Sequence, residues 1–295
     1  MRATGEVMPV EVELVGACAI VTGAGQGIGY AIASHLMAAG ADVLVYEIDP
    51  ARARAAAERL SAEHPSRRAL PFAADVTDEA AMRAAFELAS ESFGPPRILV
   101  NNALYQYPDL IVRVPVREWE RVLGVIATGT FIGTREFGRH FIEHGLEGGA
   151  IVNISTLNYT APASMLAAYC SAKAAVSQFT KVAALEYASM GIRVNAIAPG
   201  LVNTELAAGF LGESPEVPAA FVRNTPLARV GEPEDQARVA VFLASTASAW
   251  MTGVTLVVDG GLHLLGVPDN WELFRGPLGK TEPVPADWLT AAPDL

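Results

Sequence analysis

Tyr169 and Lys173 stand four residues apart in AAYCSAKAAVSQF, a stretch of strong helix formers, so both side chains leave one helix face. A phenol with an ordinary pKa of about 10 is a weak acid–base group at neutral pH. A neighbouring ammonium favours the phenolate, and that pairing lets Tyr169 exchange a proton with a reacting oxygen. A second group of residues lies near the start of the chain, Thr22-Gly23-Ala24-Gly25-Gln26-Gly27-Ile28-Gly29. It follows an apolar run and opens a helical pattern. Glycines there permit a tight turn and close approach of backbone to a pyrophosphate, while a helix N-terminus offers free N–H groups. The spacing of Gly23, Gly27 and Gly29 is G-x-x-x-G-x-G. A third group, Val45-Tyr46-Glu47-Ile48-Asp49, ends the next apolar run. A carboxylate at that point accepts hydrogen bonds from ribose hydroxyls and repels a 2′-phosphate. Glu47 is the acid in register, with Asp49 the alternative if the strand is shifted by two. No Arg precedes Arg52 in this turn and Gln26 stands in the loop, so the pattern favours NAD over NADP.

These residues need elements to position them, and the chain supplies alternating ones. Short apolar runs at 16–22, 42–48, 69–75, 97–103, 150–156, 192–198 and 254–260 read as buried strands. Helical patterns at 27–39, 50–63, 78–92, 115–144, 164–190 and 232–247 separate them. Strand and helix in alternation predict an α/β, Rossmann-like doubly wound fold, a seven-stranded parallel sheet with helices on both faces. No repeat or linker divides the chain, so residues 1–261 are expected to form one NAD-binding catalytic domain. Residues 201–231 lack a clean period and are rich in Asn, Gly, Pro and Leu, which reads as an irregular substrate lid. Residues 262–295 carry prolines with Trp271, Phe274 and Trp288, and read as an extension packing on this subunit or a neighbour.

Composition bounds the function. The 295 residues are 51% apolar and 18% charged, a core-forming balance. The net charge of −11 lacks the basic footprint of a nucleic-acid partner or an anionic membrane. Charged residues, Gly or Pro interrupt every apolar run before membrane-spanning length, and no signal-peptide pattern is seen, so a cytoplasmic protein is expected. Cys18 and Cys170 lie in apolar or helical stretches, and the five histidines show no ligand grouping, so no metal is expected.

GAGQGIG at 23–29, Asp75-Val76, Asn101-Asn102-Ala103, Tyr169-Cys170-Ser171-Ala172-Lys173 and Pro199-Gly200 fall in the order and spacing of the short-chain dehydrogenase/reductase family, which the chain resembles over about residues 14–262. The resemblance implies hydride transfer between a nicotinamide cofactor and an alcohol or carbonyl, in a homotetramer or dimer built on two long helices. It implies that Tyr169 is the proton donor or acceptor, and that Lys173 holds the nicotinamide ribose and lowers the Tyr169 pKa. Asp75 and Val76 would flank the adenine, Asn102 and Ala103 would shape the cofactor floor, and Pro199, Gly200, Val202 and Thr204 would cradle the carboxamide.

The chain departs from the family pattern in three places. Where the family has a Ser thirteen residues before the Tyr, this chain has Thr156, which keeps the hydroxyl and adds a methyl group, with Ser155 the alternative. In the pattern W-x-x-V-x-x-V-N-x-x-G-x-F, Trp119, Val122, Val125, Gly129 and Phe131 match, but Ile126 stands at the Asn. That Asn holds a water linking the Lys to solvent in the family, and Ile cannot. The glycine after Asn-Asn-Ala is Leu104. With Leu157, Tyr159, Met165, Leu201 and Phe210, and with Tyr105, Tyr107 and Phe221, it suggests an apolar pocket for a bulky hydrophobic or aromatic alcohol or ketone. Redirected chemistry (dehydration, isomerisation or epimerisation) and NAD binding with little turnover are the alternatives that Ile126 and Thr156 raise.

Overall fold

In each central strand, successive side chains face opposite layers and nearly all are apolar. Ala19, Val21, Val43, Val45, Ile98 and Val100 join one buried cluster, whereas Cys18, Ile20, Leu44, Tyr46 and Leu99 join a second. A sheet buried on both faces produces continuous apolar runs of this kind. The computed structural model describes residues 12–212 and 215–268. The strands are β1 (Cys18–Thr22), β2 (Asp42–Glu47), β3 (Ala69–Ala73), β4 (Pro96–Asn101), β5 (Gly149–Ile154), β6 (Ile192–Pro199) and β7 (Thr255–Val258). They form one sheet in the order β3-β2-β1-β4-β5-β6-β7, and every pairing is parallel. The expected α/β, Rossmann-like doubly wound architecture is therefore the observed one.

The helices are α1 (Gly27–Ala38), α2 (Pro50–Glu63), α3 (Glu79–Phe93), α4 (Val116–Leu123), α5 (Gly129–Glu143), α6 (Ala167–Tyr187), α7 (Glu205–Gly212), α8 (Glu216–Asn224), α9 (Pro233–Ala244) and α10 (Leu262–Leu265). Helices α1, α2 and α9 cover one face and α3, α5 and α6 the other. The chain reverses direction across the sheet between β1 and β4. The crevice at the carboxyl ends of these strands is where such folds place ligands.

Two elements differ from the sequence expectation. The helix expected over 115–144 is α4 and α5 joined by a π-helical segment, Gly124–Thr128, which holds Ile126. One wide turn of this kind rotates the faces that follow it, and such turns recur at functional sites. Residues 201–231, expected as irregular, contain α7 and α8. The start of the final extension packs back on the domain. Leu262 is buried with Leu157, Val217 and Phe221, and the Asn224 side chain donates to Gly266 O at 2.8 Å. Trp271, Phe274 and Trp288 lie outside the described residues, as does the side chain of Phe210.

Candidate active site

The loop after β1 is built for close approach. Gly23 and Gly27 have φ of +62° and +56°, the left-handed region where a side chain is strained. A β-carbon on Gly29 would run into the carbonyl oxygen of Gly23 and the Asn102 amide. Asn102 itself is fixed from β1. Its side-chain amide donates to Thr22 O at 3.0 Å and Gly23 O at 3.1 Å, and Thr22 Oγ1 accepts the Asn102 and Ala103 N–H groups. The loop and the start of α1 thus present bare backbone at the sheet's switch point, which fits a dinucleotide pyrophosphate.

Glu47 ends β2 with its side chain 7% exposed. Its Oε2 accepts the Gly25 N–H at 3.2 Å, its Oε1 accepts the Asp49 N–H at 3.3 Å, and the Arg52 guanidinium lies 3.7 Å away. Asp49 is committed elsewhere. Its carboxylate caps α2, accepting the N–H groups of Ala51 at 2.8 Å and Arg52 at 3.0 Å. That capping holds the Asp49 carboxyl below the usual carboxylate range. Of the two candidates, only Glu47 and not Asp49 borders the crevice.

The residues proposed for chemistry come from the ends of β5 and α6. Helix α6 places Lys173 Nζ 5.8 Å from the centre of the Tyr169 ring. Lys173 is 2% exposed and its Nζ donates to Ile154 O at 2.5 Å, so the helix is tied to the end of β5. Thr156 follows β5; its Oγ1 donates to Asn158 Oδ1 at 3.2 Å and accepts the Asn158 N–H at 3.3 Å, and its hydroxyl favours the charged form of the Tyr169 phenol. Ser155, the alternative to Thr156, has its hydroxyl engaged in holding β5 to α6. It donates to Lys173 O at 3.1 Å and pairs with Ser177 Oγ at 2.7 Å.

Burial governs both titrations. Removal from water pushes the Tyr169 phenol up to about 12, against a smaller lowering by the Thr156 hydroxyl. The same effect brings Lys173 down to about 7. Burial thus outweighs the lowering expected from a neighbouring ammonium. The desolvated Lys173 resists carrying the charge that would cause that lowering. A protonated phenol beside a hydroxyl is the form that can give a proton to a carbonyl oxygen.

Ile126 is 1% exposed and packs with Val122, Ala168, Ala172 and Val176, with Tyr169 and Leu104 at the margin. The π segment therefore turns an apolar side chain toward the Tyr169 helix, where the family pattern has an amide.

A cavity of about 880 Å³ joins these parts. Gly23, Gln26, Gly27, Ile28, Glu47, Asp75, Val76, Asn102, Ala103, Pro199, Gly200, Val202 and Thr204 line it, as do Ser155, Thr156, Tyr169 and Lys173. Gly29 does not line it and acts through the packing described above. Leu104, Leu157, Met165 and Leu201 form part of an apolar wall with Tyr105 and Phe221. Tyr159 and Tyr107 do not reach the cavity; Tyr107 packs against the Ile126 cluster. Sequence reasoning missed Asn158, Ala163, Leu166, Leu262 and Val267, which also line the cavity. Among the described residues no group of three His, Cys, Asp or Glu could hold a metal, and no helix is long and apolar enough to cross a membrane.

A parallel sheet with a glycine-lined switch point, a buried lysine beside a half-buried tyrosine, and a hydroxyl near the phenol define a nucleotide-binding oxidoreductase site. The comparisons name the family. Residues 23–263 match a family model described as enoyl-(acyl carrier protein) reductase. The chain is 40% identical over 253 residues to 3beta-hydroxysteroid dehydrogenase 1 of Eggerthella lenta, covering 85% of this chain and 95% of that protein. It is also 40% identical over 250 residues to galactitol 2-dehydrogenase (L-tagatose-forming) of Cereibacter sphaeroides, covering 84% and 95%. A solved chain from Beutenbergia cavernae, described as an NAD(P)-dependent gluconate 5-dehydrogenase candidate with NADP at low occupancy, superposes with a TM-score of 0.78 at 34% identity, covering 85% and 98%. The chain belongs to the short-chain dehydrogenase/reductase family. It is an oxidoreductase of that family, whose dehydrogenases act on hydroxyl groups with NAD or NADP.

Proposed function

We propose that this chain interconverts a bulky hydrophobic or aromatic secondary alcohol and its ketone, with NAD preferred and Tyr169 as general acid–base. The observation that carries the reading is a single cavity lined by Tyr169 and Thr156, by the apolar side chains of Leu104, Leu157, Met165 and Leu201, and by Glu47. The nicotinamide, when bound, supplies or accepts the hydride. Thr156 orients the substrate oxygen, Tyr169 gives it a proton in reduction or takes one in oxidation, and Lys173 holds the ribose and sets the charge beside the phenol. Glu47 accepts the adenosine ribose hydroxyls and repels a 2′-phosphate. Asp75 and Val76 flank the adenine, Asn102 and Ala103 form the floor, and Pro199, Gly200, Val202 and Thr204 hold the carboxamide.

The apolar wall supports a ring-bearing substrate over a polyol. The protein is read as cytoplasmic, without nucleic-acid or membrane partners. Exposed Phe131 and Ile142 on α5, and Val182 and Leu185 on α6, support a homodimer or homotetramer joined through these helices. The test is turnover with NADH and NADPH on ketones of graded bulk, set against polyols. Faster turnover of bulky ketones with NADH supports the proposal, and preference for polyols or for NADPH overturns the corresponding part. Ile126 favours a second reading, redirected chemistry without net redox change, which product analysis by mass would reveal.

A further inference from the structure

We infer that the buried Asp109–Arg113 ion pair is a positioning device for the substrate wall, and that Met165, held by it, selects which substrates fit. The inference rests on the proposed substrate end of the cavity. Asp109 lies in the loop between β4 and α4 and is 4% exposed. Its Oδ1 stands 3.3 Å from Arg113 Nε and accepts the Leu110 N–H at 2.8 Å. Both side chains of the pair are withdrawn from water, at 6% and 13% exposure. A buried pair of this kind adds little net stability over apolar residues of similar volume, and its best-attested use is to fix one geometry.

That geometry reaches the cavity through the backbone. The Asp109 N–H donates to Met165 O at 2.9 Å, and Asp109 and Leu166 form an isolated parallel bridge. Met165 has φ of +66°, one of two non-glycine residues in the left-handed region among the described residues. An unbranched side chain with a β-carbon adopts that conformation only when its surroundings enforce it. Leu166, the next residue, caps α6, and its carbonyl accepts the Cys170 N–H at 2.8 Å, one residue beyond Tyr169. Pro108, Met165 and Leu166 all line the cavity. The pair thus sits behind two adjoining loops and sets both the wall and the approach to the Tyr169 helix.

The test uses full-length protein with Asp109→Asn, Arg113→Met and Met165→Gly. Hydrogen exchange of residues 160–170, measured without substrate, is expected to speed up at least about tenfold in both charge variants. With NADH and graded ketones, these variants raise KM about tenfold while kcat and NADH affinity stay within about threefold. Met165→Gly accepts the left-handed φ and removes the side chain, and it shifts the ratio of kcat/KM between large and small ketones about tenfold toward the large. Unchanged exchange in both charge variants overturns the positioning role, and an unchanged ketone ratio in Met165→Gly overturns the selectivity role. If the wild-type protein turns over no ketone, the functional reading and the selectivity role both fail, while exchange still decides the positioning role.

Discussion

Replacing Glu47 with Gln keeps the shape at the end of β2 and removes one charge. The amide oxygen can still accept the Gly25 N–H, which Glu47 Oε2 now does at 3.2 Å, so the glycine loop should hold. What is lost is a pair of charge-assisted hydrogen bonds to the ribose. A charged acceptor strengthens each bond over a neutral one by about 1–1.5 kcal/mol, about 2–3 kcal/mol for the pair, so NADH should bind about 30- to 150-fold more weakly. The opposite effect falls on NADPH. Two like charges about 4 Å apart near a protein surface repel by about 4 kcal/mol before salt screening, and Glu47→Gln removes that repulsion. It also releases the Arg52 guanidinium from its 3.7 Å approach to the carboxylate, leaving a cation that lines the same cavity. The two changes together should move the NADH-to-NADPH affinity ratio at least about 100-fold toward NADPH. Isothermal titration of each cofactor at fixed ionic strength measures this ratio. A ratio that moves less than about threefold refutes the assignment of Glu47 to the ribose.

Three further outcomes follow from the same geometry. Ile126→Asn places an amide in an apolar cluster, at a cost of about 1–3 kcal/mol in denaturant unfolding, and should raise turnover if the family's relay is restored; unchanged turnover means the proton leaves by another route. Lys173, brought down to about 7 by burial, is charged only below that pH, so kcat/KM for ketone reduction should decline as pH rises through about 7; a flat profile from pH 6 to 9 contradicts the role of its charge. His140 is buried against Phe86 and His144 with its pKa lowered to about 4 by burial, so the unfolded chain binds the proton first as pH falls; His140→Phe should recover about 2 kcal/mol of relative stability at pH 5 against neutral pH, and equal acid sensitivity in both proteins argues against it.

The sheet was legible because parallel strands buried on both faces must be apolar throughout, and the glycines after β1 carry their own geometric signal. The choice between Glu47 and Asp49 was also present in the sequence. Asp49 followed by Pro50 is a helix start, with Asp as cap and Pro in the first turn. Other features left no local trace. The π segment around Ile126 inserts one wide turn into a helical pattern whose apolar spacing reads as continuous. Helices α7 and α8 are short, and Gly209, Gly212 and Pro218 blur their period. Met165 takes a left-handed φ with no glycine or asparagine to announce it, beside the tertiary bridge between Asp109 and Leu166. The direction of the Tyr169 and Lys173 shifts depends on depth of burial, which residue spacing alone does not give.

The central claim is that Tyr169 exchanges the proton with the substrate oxygen. Its most direct test is the loss of NADH absorbance with a bulky ketone, comparing wild type with Tyr169→Phe after NADH binding is matched. Removing a general acid of this kind is expected to lower kcat by about 100-fold or more, with NADH affinity within about twofold. A Tyr169→Phe protein that retains wild-type kcat on a ketone the wild type reduces would contradict the account.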